Sequence, residues 1–196
     1  ALAAFSILLT AKKTDCLVSH NAPVSFKGMR KFDVLLPALC LFFVVIIRSF
    51  AGMTMGFAWK GEGYWGVAAL AAVVLGKTAG GFAMDRIGGR PAALLSLTAA
   101  GVLFWFADSP YAGVAAIFLF NMSMPMTLCA LARRMPGCKG FSFGLLTFAL
   151  FLGFLPVGLG AVSSSPNWLL ASLCALSALL MLPGLDGRSV SLSHES

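Results

Sequence analysis

Six long apolar runs, separated by short polar or Gly/Pro-bearing joints, set the pattern of this chain; they cover residues 33–53, 65–84, 91–107, 111–131, 141–162 and 167–184. A helix needs about twenty mostly apolar residues to cross roughly 30 Å of hydrocarbon, and each run approaches that length. The joints read TMGFAWKGEGY, DRIGGR, DSP, RRMPGCK and SSSPN. Joints this short turn each helix back beside its predecessor, so successive helices run antiparallel. Open strands are excluded within lipid, because unpaired backbone groups there cost several kcal/mol each. The pattern predicts an all-α fold, a polytopic six-helix transmembrane bundle over residues 33–184. Residues 1–11 form an apolar stub too short to span, read as the tail of a truncated upstream transmembrane helix. Residues 12–32 read as a basic linker and residues 185–196 as a polar tail.

Composition strengthens this picture. Apolar residues make up 59% of the chain and charged residues 11%, against roughly 25% charged in soluble domains. The surplus apolar surface must face lipid. The net charge of +7 does not form a stripe for nucleic acid. Lys12, Lys13, Lys27, Arg30 and Lys31 precede the first full helix, Arg86 and Arg90 occupy the second joint, Arg133, Arg134 and Lys139 the fourth, and Arg188 the tail. The alternate joints hold only Lys60. Basic residues mark cytoplasmic loops, which places the linker and the C-terminus on the cytoplasmic side of a cell membrane. Near anionic headgroups each basic residue is worth about 1 kcal/mol.

Candidate chemistry is sparse. Gly76-Lys77-Thr78 resembles the end of a P-loop, but the position five residues before Gly76 is Ala71, followed by Ala72, Val73, Val74 and Leu75. Those residues cannot wrap a phosphate with consecutive N–H groups. The glycines that follow have neither the preceding strand nor the later acidic residue of a dinucleotide site. Five cysteines are scattered without metal-ligand spacing, and His20 and His194 lie in the linker and the tail without a nucleophile beside them. No enzyme, metal or cofactor is expected.

The hairpin GGFAMDRIGGR is more specific. Gly81, Asp85, Arg86, Gly88 and Arg90 fit the spacing G-x-x-x-D-R-x-G-x-R, which closely resembles the cytoplasmic-loop signature of the major facilitator superfamily. The resemblance covers nearly the whole chain by helix count and topology, although only this hairpin carries a sharp motif. It implies a C-terminal half of such a transporter, helices seven to twelve, whose missing partner is an N-terminal six-helix half. In the family the motif acts as a latch on the cytoplasmic side; the plain alternative is a basic hairpin with a solvated aspartate. The usual pair of basic residues at the motif's end is incomplete here, since Gly89 occupies one position. Physically, Gly76, Gly80 and Gly81 leave a bare helix face for close approach. Asp85 sits at a helix C-terminus, where the macrodipole disfavours an anion, and so calls for compensation from Arg86, Arg90 or a neighbouring helix N-terminus.

Inside the runs, Arg48 lies about fifteen residues into the first full helix, where a charge costs about 2.5–3.5 kcal/mol on insertion scales. It either lines a transport pathway, where a guanidinium suits an anion or a proton-coupled substrate, or snorkels to an interface. Lys77 has the same choice toward the cytoplasmic headgroups. Asn121 either lines the pathway or bonds two helices together, and Pro125 can kink its helix as helices near transporter binding sites often are. Met122, Met124 and Met126 with Phe118 and Phe120 read as helix packing or as an adaptable pocket. No Asp or Glu lies deep in a run, so a carboxylate proton relay would belong to the missing half. The resemblance implies secondary active transport of a small molecule, a drug or metabolite, with a proton or ion as coupling partner. The alternative is a non-transporting six-helix membrane protein with a structural or assembly role.

Overall fold

The computed structural model describes residues 31–134 and 139–185, with side chains from 35 to 133 and from 140 to 185. The expected upstream helix tail, the linker up to residue 30 and the tail beyond Leu185 lie outside the described residues. Six α-helices follow one another: α1 (Lys31–Thr54), α2 (Trp65–Ile87), α3 (Gly89–Trp105), α4 (Pro110–Arg134), α5 (Lys139–Gly158) and α6 (Asn167–Leu185). A short 3-10 turn, Ala58–Gly61, interrupts the first joint, and no strand occurs among the described residues. Five of the helices are long and apolar enough to cross a membrane; α3, with 17 residues, is the short one.

Helix ends follow local chemistry. The apolar pattern carries the fifth run to residue 162, but α5 stops at Gly158. Gly160 adopts φ +72°. Its N–H donates to Val157 O at 3.0 Å and that of Ala161 to Pro156 O at 3.0 Å. This is a Schellman closure, which a left-handed glycine permits and further apolar residues cannot override. The third run ends two residues early for a similar reason, as the N–H groups of Phe106 and Ala107 bond back to Leu103 and Phe104 in a tightened last turn.

The joints after α1, α3 and α5 gather at one end of the bundle, as alternating directions require. Trp59 Nε1 donates to Ala107 O at 2.9 Å, Ser165 N to Thr54 O at 2.9 Å, and Asn167 Nδ2 to Asp108 Oδ1 at 2.9 Å. Gly113 makes room for the Trp59 indole, which would overlap any side chain there.

Short joints fix direction but not packing partners. The closest pairs are α2 with α4, α3 with α6 and α1 with α5, followed by α3 with α4 and α1 with α6. Exchanging α1, α2 and α3 for α4, α5 and α6 maps α2–α4 onto α5–α1, maps α3–α4 onto α6–α1, and leaves α3–α6 unchanged. Because α1 and α4 run in opposite directions, this is the pairing of two inverted three-helix units. Equivalent glycines make the two matching contacts: Gly76 of α2 lies against Phe118 O of α4, and Gly153 of α5 against Ile46 O of α1. Gly80 lies on the same face as Gly76, four residues on, against the Met122 backbone. Gly81 departs from the expected glycine face. It is rotated about 100° from Gly80, and a Cβ there would meet nothing within 4 Å.

Two apolar clusters form the interior, one around Leu97, Phe104, Phe120 and Met181, the other around Leu41, Val45, Leu131 and Leu146. Elsewhere the helices turn large apolar side chains outward, including Val67, Leu95, Val102, Phe141 and Phe143, each more than half exposed. Apolar surface of that extent is stable against lipid and not against water.

Candidate functional site: a buried arginine beside a cavity

Arg48 does not reach an interface. Only 7% of it is exposed, and its guanidinium crosses to α4. Nη1 donates to Phe120 O at 3.0 Å and to Ser123 Oγ; Nη2 donates to Asn121 O at 3.3 Å and Asn121 Oδ1 at 3.1 Å. The cation also lies 5.1 Å from the centre of the Phe120 ring, within cation–π range.

The sequence of α4 makes this possible. Pro125 has no amide hydrogen, so the carbonyl four residues earlier, Asn121 O, has no helical donor. A buried carbonyl without a donor is costly, and Arg48 supplies one. Ser123 Oγ donates to Phe120 O at 2.8 Å and Asn121 Nδ2 to Ile117 O at 2.8 Å. These bonds hold the hydroxyl oxygen and the amide oxygen toward the guanidinium. Pro125 therefore acts on the site through the carbonyl it frees, without lining the cavity itself.

Every acceptor on Arg48 is neutral. Among the residues whose side chains are described, the carboxylates are Glu62, Asp85 and Asp108, all exposed in the joints or at a helix end. The charge of Arg48 is solvated by dipoles and is not cancelled by an ion pair among the described residues.

Beside Arg48 lies a cavity of about 530 Å³, formed by α1, the first joint, α2, α4 and α5. Arg48, Ser49, Lys60, Lys77 and Asn121 give it polar character, and residues such as Leu70, Val73, Ile117, Phe120, Met124 and Leu150 supply the apolar remainder. Ser49 Oγ donates to Leu150 O at 2.6 Å and ties α1 to α5. Lys60, in the joint, donates from Nζ to Met55 O at 2.5 Å and lies 5.1 Å from the Phe57 ring centre. Partial burial lowers its pKa from the ordinary 10.5, since leaving water disfavours the ammonium.

The sequence-derived candidates thus divide. Arg48 and Asn121 meet directly, so Asn121 both bonds across helices and lines a cavity. Met124 lines the cavity, whereas Met126 is fully buried in the core. Lys77, expected to reach toward headgroups, is exposed and borders the cavity. Ser49 and Lys60 were not legible as site residues. A serine in an apolar run is common, and Lys60 stands out only as the lone basic residue of its set of joints.

The hairpin residues Gly81, Asp85, Arg86, Gly88 and Arg90 lie at the junction of α2 and α3, apart from the cavity. Gly88 caps α2 with φ +88°, the left-handed conformation the tight reversal needs. Asp85 is exposed, with no ion-pair partner among the described residues. Arg86 instead lies 4.6 Å from the Phe82 ring centre. The compensation expected of Arg86 for Asp85 is absent from this arrangement, because the guanidinium is drawn to the ring one helical turn back. Comparison with protein-family models, with curated proteins and with solved structures returns no match.

Proposed function

We propose that this chain is one six-helix half of a secondary active transporter of the major facilitator type. A small molecule, drug or metabolite binds at the cavity and is carried across a cell membrane by alternating exposure of the site. The observation that carries this reading is a largely apolar cavity with a few polar side chains, placed between two inverted three-helix units, with a buried arginine on its wall. Transporter sites of this kind lie at repeat interfaces near the midplane, beside helices with interrupted hydrogen bonding, and the carbonyl freed by Pro125 is such an interruption. An arginine retained among apolar helices at substantial insertion cost points to use rather than to stability.

The hairpin motif supports the same reading. Asp85 is exposed at the end of α2 and available to a group outside the described bundle, as a latch partner in the missing half would be. The basic joints then face the cytoplasm, and a proton or ion supplies the driving force through groups outside this chain's membrane runs.

The test is solute counterflow in proteoliposomes carrying a pH gradient. The chain is reconstituted alone and together with its upstream six-helix half, against labelled organic anions, amino acids and lipophilic cations. Saturable counterflow that requires both halves is the expected result. Absence of counterflow for all three solute classes with both halves present would turn the reading toward a non-transporting membrane partner.

A further inference from the structure

The cavity carries an unusual balance of charge. Three cationic side chains, Arg48, Lys60 and Lys77, line it, and no Asp or Glu does. One of the three is fixed in place: the four hydrogen bonds of Arg48 go to neutral acceptors on α4, leaving its charge without an ionic partner. Such bonds hold the guanidinium plane still while its field extends into the cavity, where the local dielectric is below that of water. Lys60 sits in the joint and Lys77 about 18 Å along α2 from Trp65, at 1.5 Å per residue. The cationic lining therefore runs from the aqueous end of the bundle toward its middle.

The rest of the wall is apolar, built from leucine, valine, isoleucine, phenylalanine and methionine side chains. A volume of about 530 Å³ lies within the range for sites that hold metabolite-sized molecules. A bare inorganic anion would leave most of that wall uncovered, and a cation would meet three like charges.

We propose that the cavity binds a freely diffusing organic anion with an apolar body, its carboxylate or phosphate held at the level of Arg48 and Lys77, with Lys60 at the cavity's aqueous end. This names the substrate class for the transport reading above and rests on it for the word substrate; the binding site itself stands on the cavity. The anion's acidic group gains charge-assisted hydrogen bonds, which are about twice as strong as neutral ones. Its apolar body covers Leu70, Val73, Ile117 and Met124. The reach of the lining to Lys60, in the polar joint, favours a solute arriving from water over an anionic lipid sliding in from the side.

Equilibrium binding to the chain in nanodiscs of zwitterionic lipid tests this, with labelled benzoate and phenyl phosphate as anionic probes, benzamide as the neutral isostere and benzylamine as the cation. Saturable binding of either anion, with benzamide and benzylamine weaker by about ten-fold or more, is expected from one charge-assisted contact. Lys77→Gln leaves the Arg48 bonds to α4 untouched and should weaken anion binding several-fold. Lys77→Glu should weaken it further and bring benzylamine binding up toward that of benzoate. Equal binding of benzoate, benzamide and benzylamine, binding of none of the four probes, or indifference of anion affinity to both Lys77 substitutions overturns the proposal. Repeating the titration in discs containing phosphatidylglycerol separates the two sources of anion, since strong competition there would assign the cavity to a lipid headgroup and overturn the free-solute assignment. Counterflow with the same probes keeps the two readings apart. Anion binding without counterflow defeats transport and leaves the site standing, whereas counterflow of benzylamine alone does the reverse.

Discussion

Arg48 and Pro125 lie on different helices, 77 positions apart in sequence, yet their effects on stability should be coupled. Arg48→Met removes the donor that serves Asn121 O at 3.3 Å and Asn121 Oδ1 at 3.1 Å. Each acceptor left buried without a donor costs about 1–3 kcal/mol. Relief from burying a cation, about 2.5–3.5 kcal/mol on insertion scales, offsets much of that, so the single substitution alone decides little. Pro125→Ala restores an amide hydrogen aimed at the same carbonyl, Asn121 O. In the parent protein that hydrogen competes with Arg48; in the Arg48→Met background it meets an acceptor with no other donor. Straightening of α4 is common to both backgrounds and cancels in the cycle. Pro125→Ala should therefore be more favourable in the Arg48→Met protein by about 1 kcal/mol, the net worth of one hydrogen bond. The four proteins of the cycle would be unfolded in mixed micelles by increasing sodium dodecyl sulfate, followed by far-ultraviolet circular dichroism. Additivity within about 0.3–0.5 kcal/mol would refute the claim that Arg48 serves the carbonyl that proline frees.

The glycines of α2 give a sharp contrast. Gly80→Val should destabilise the bundle by about 1–3 kcal/mol, because the new side chain overlaps the Met122 backbone, whereas Gly81→Ala should be neutral or stabilising by up to about 1 kcal/mol; the same micelle titration reads both. Trp59→Phe removes the bond to Ala107 O and should cost about 1 kcal/mol, seen as a lower midpoint in that titration. Lys60 has a folded pKa below its ordinary 10.5, so the unfolded chain holds the extra proton between the two values. Stability should rise with pH through the window that ends near 10.5, and Lys60→Met should flatten that rise. On the proposed transport reading, Asp85→Asn should slow counterflow measured with both halves, or shift the open–closed balance, while leaving membrane insertion intact; unchanged kinetics would remove the latch.

Much of this architecture is written in local sequence. Run length and apolar content place six helices because a chain in lipid must satisfy its backbone within each segment. Short joints then oblige consecutive helices to alternate direction. The exceptions are local too: α5 ends at Gly158 through the Schellman bonds around Gly160, a signal hidden beneath an apolar run that continues past it. The hairpin pattern of Gly81, Asp85, Arg86, Gly88 and Arg90 is equally visible, including the turn that Gly88 makes.

What the sequence could not decide is which helices touch. Apolar faces of similar character can pair in several ways, and only the packed bundle selects α2 with α4 and α1 with α5. That choice settles the rest. Gly80 meets a backbone while Gly81 beside it does not. Arg48 can reach α4 because α1 passes next to it, which makes the guanidinium a fixed wall of a cavity instead of a snorkelling side chain. Pro125 announces a free carbonyl at Asn121 from sequence alone, but the donor that answers it comes from another helix, and only tertiary structure brings the two together.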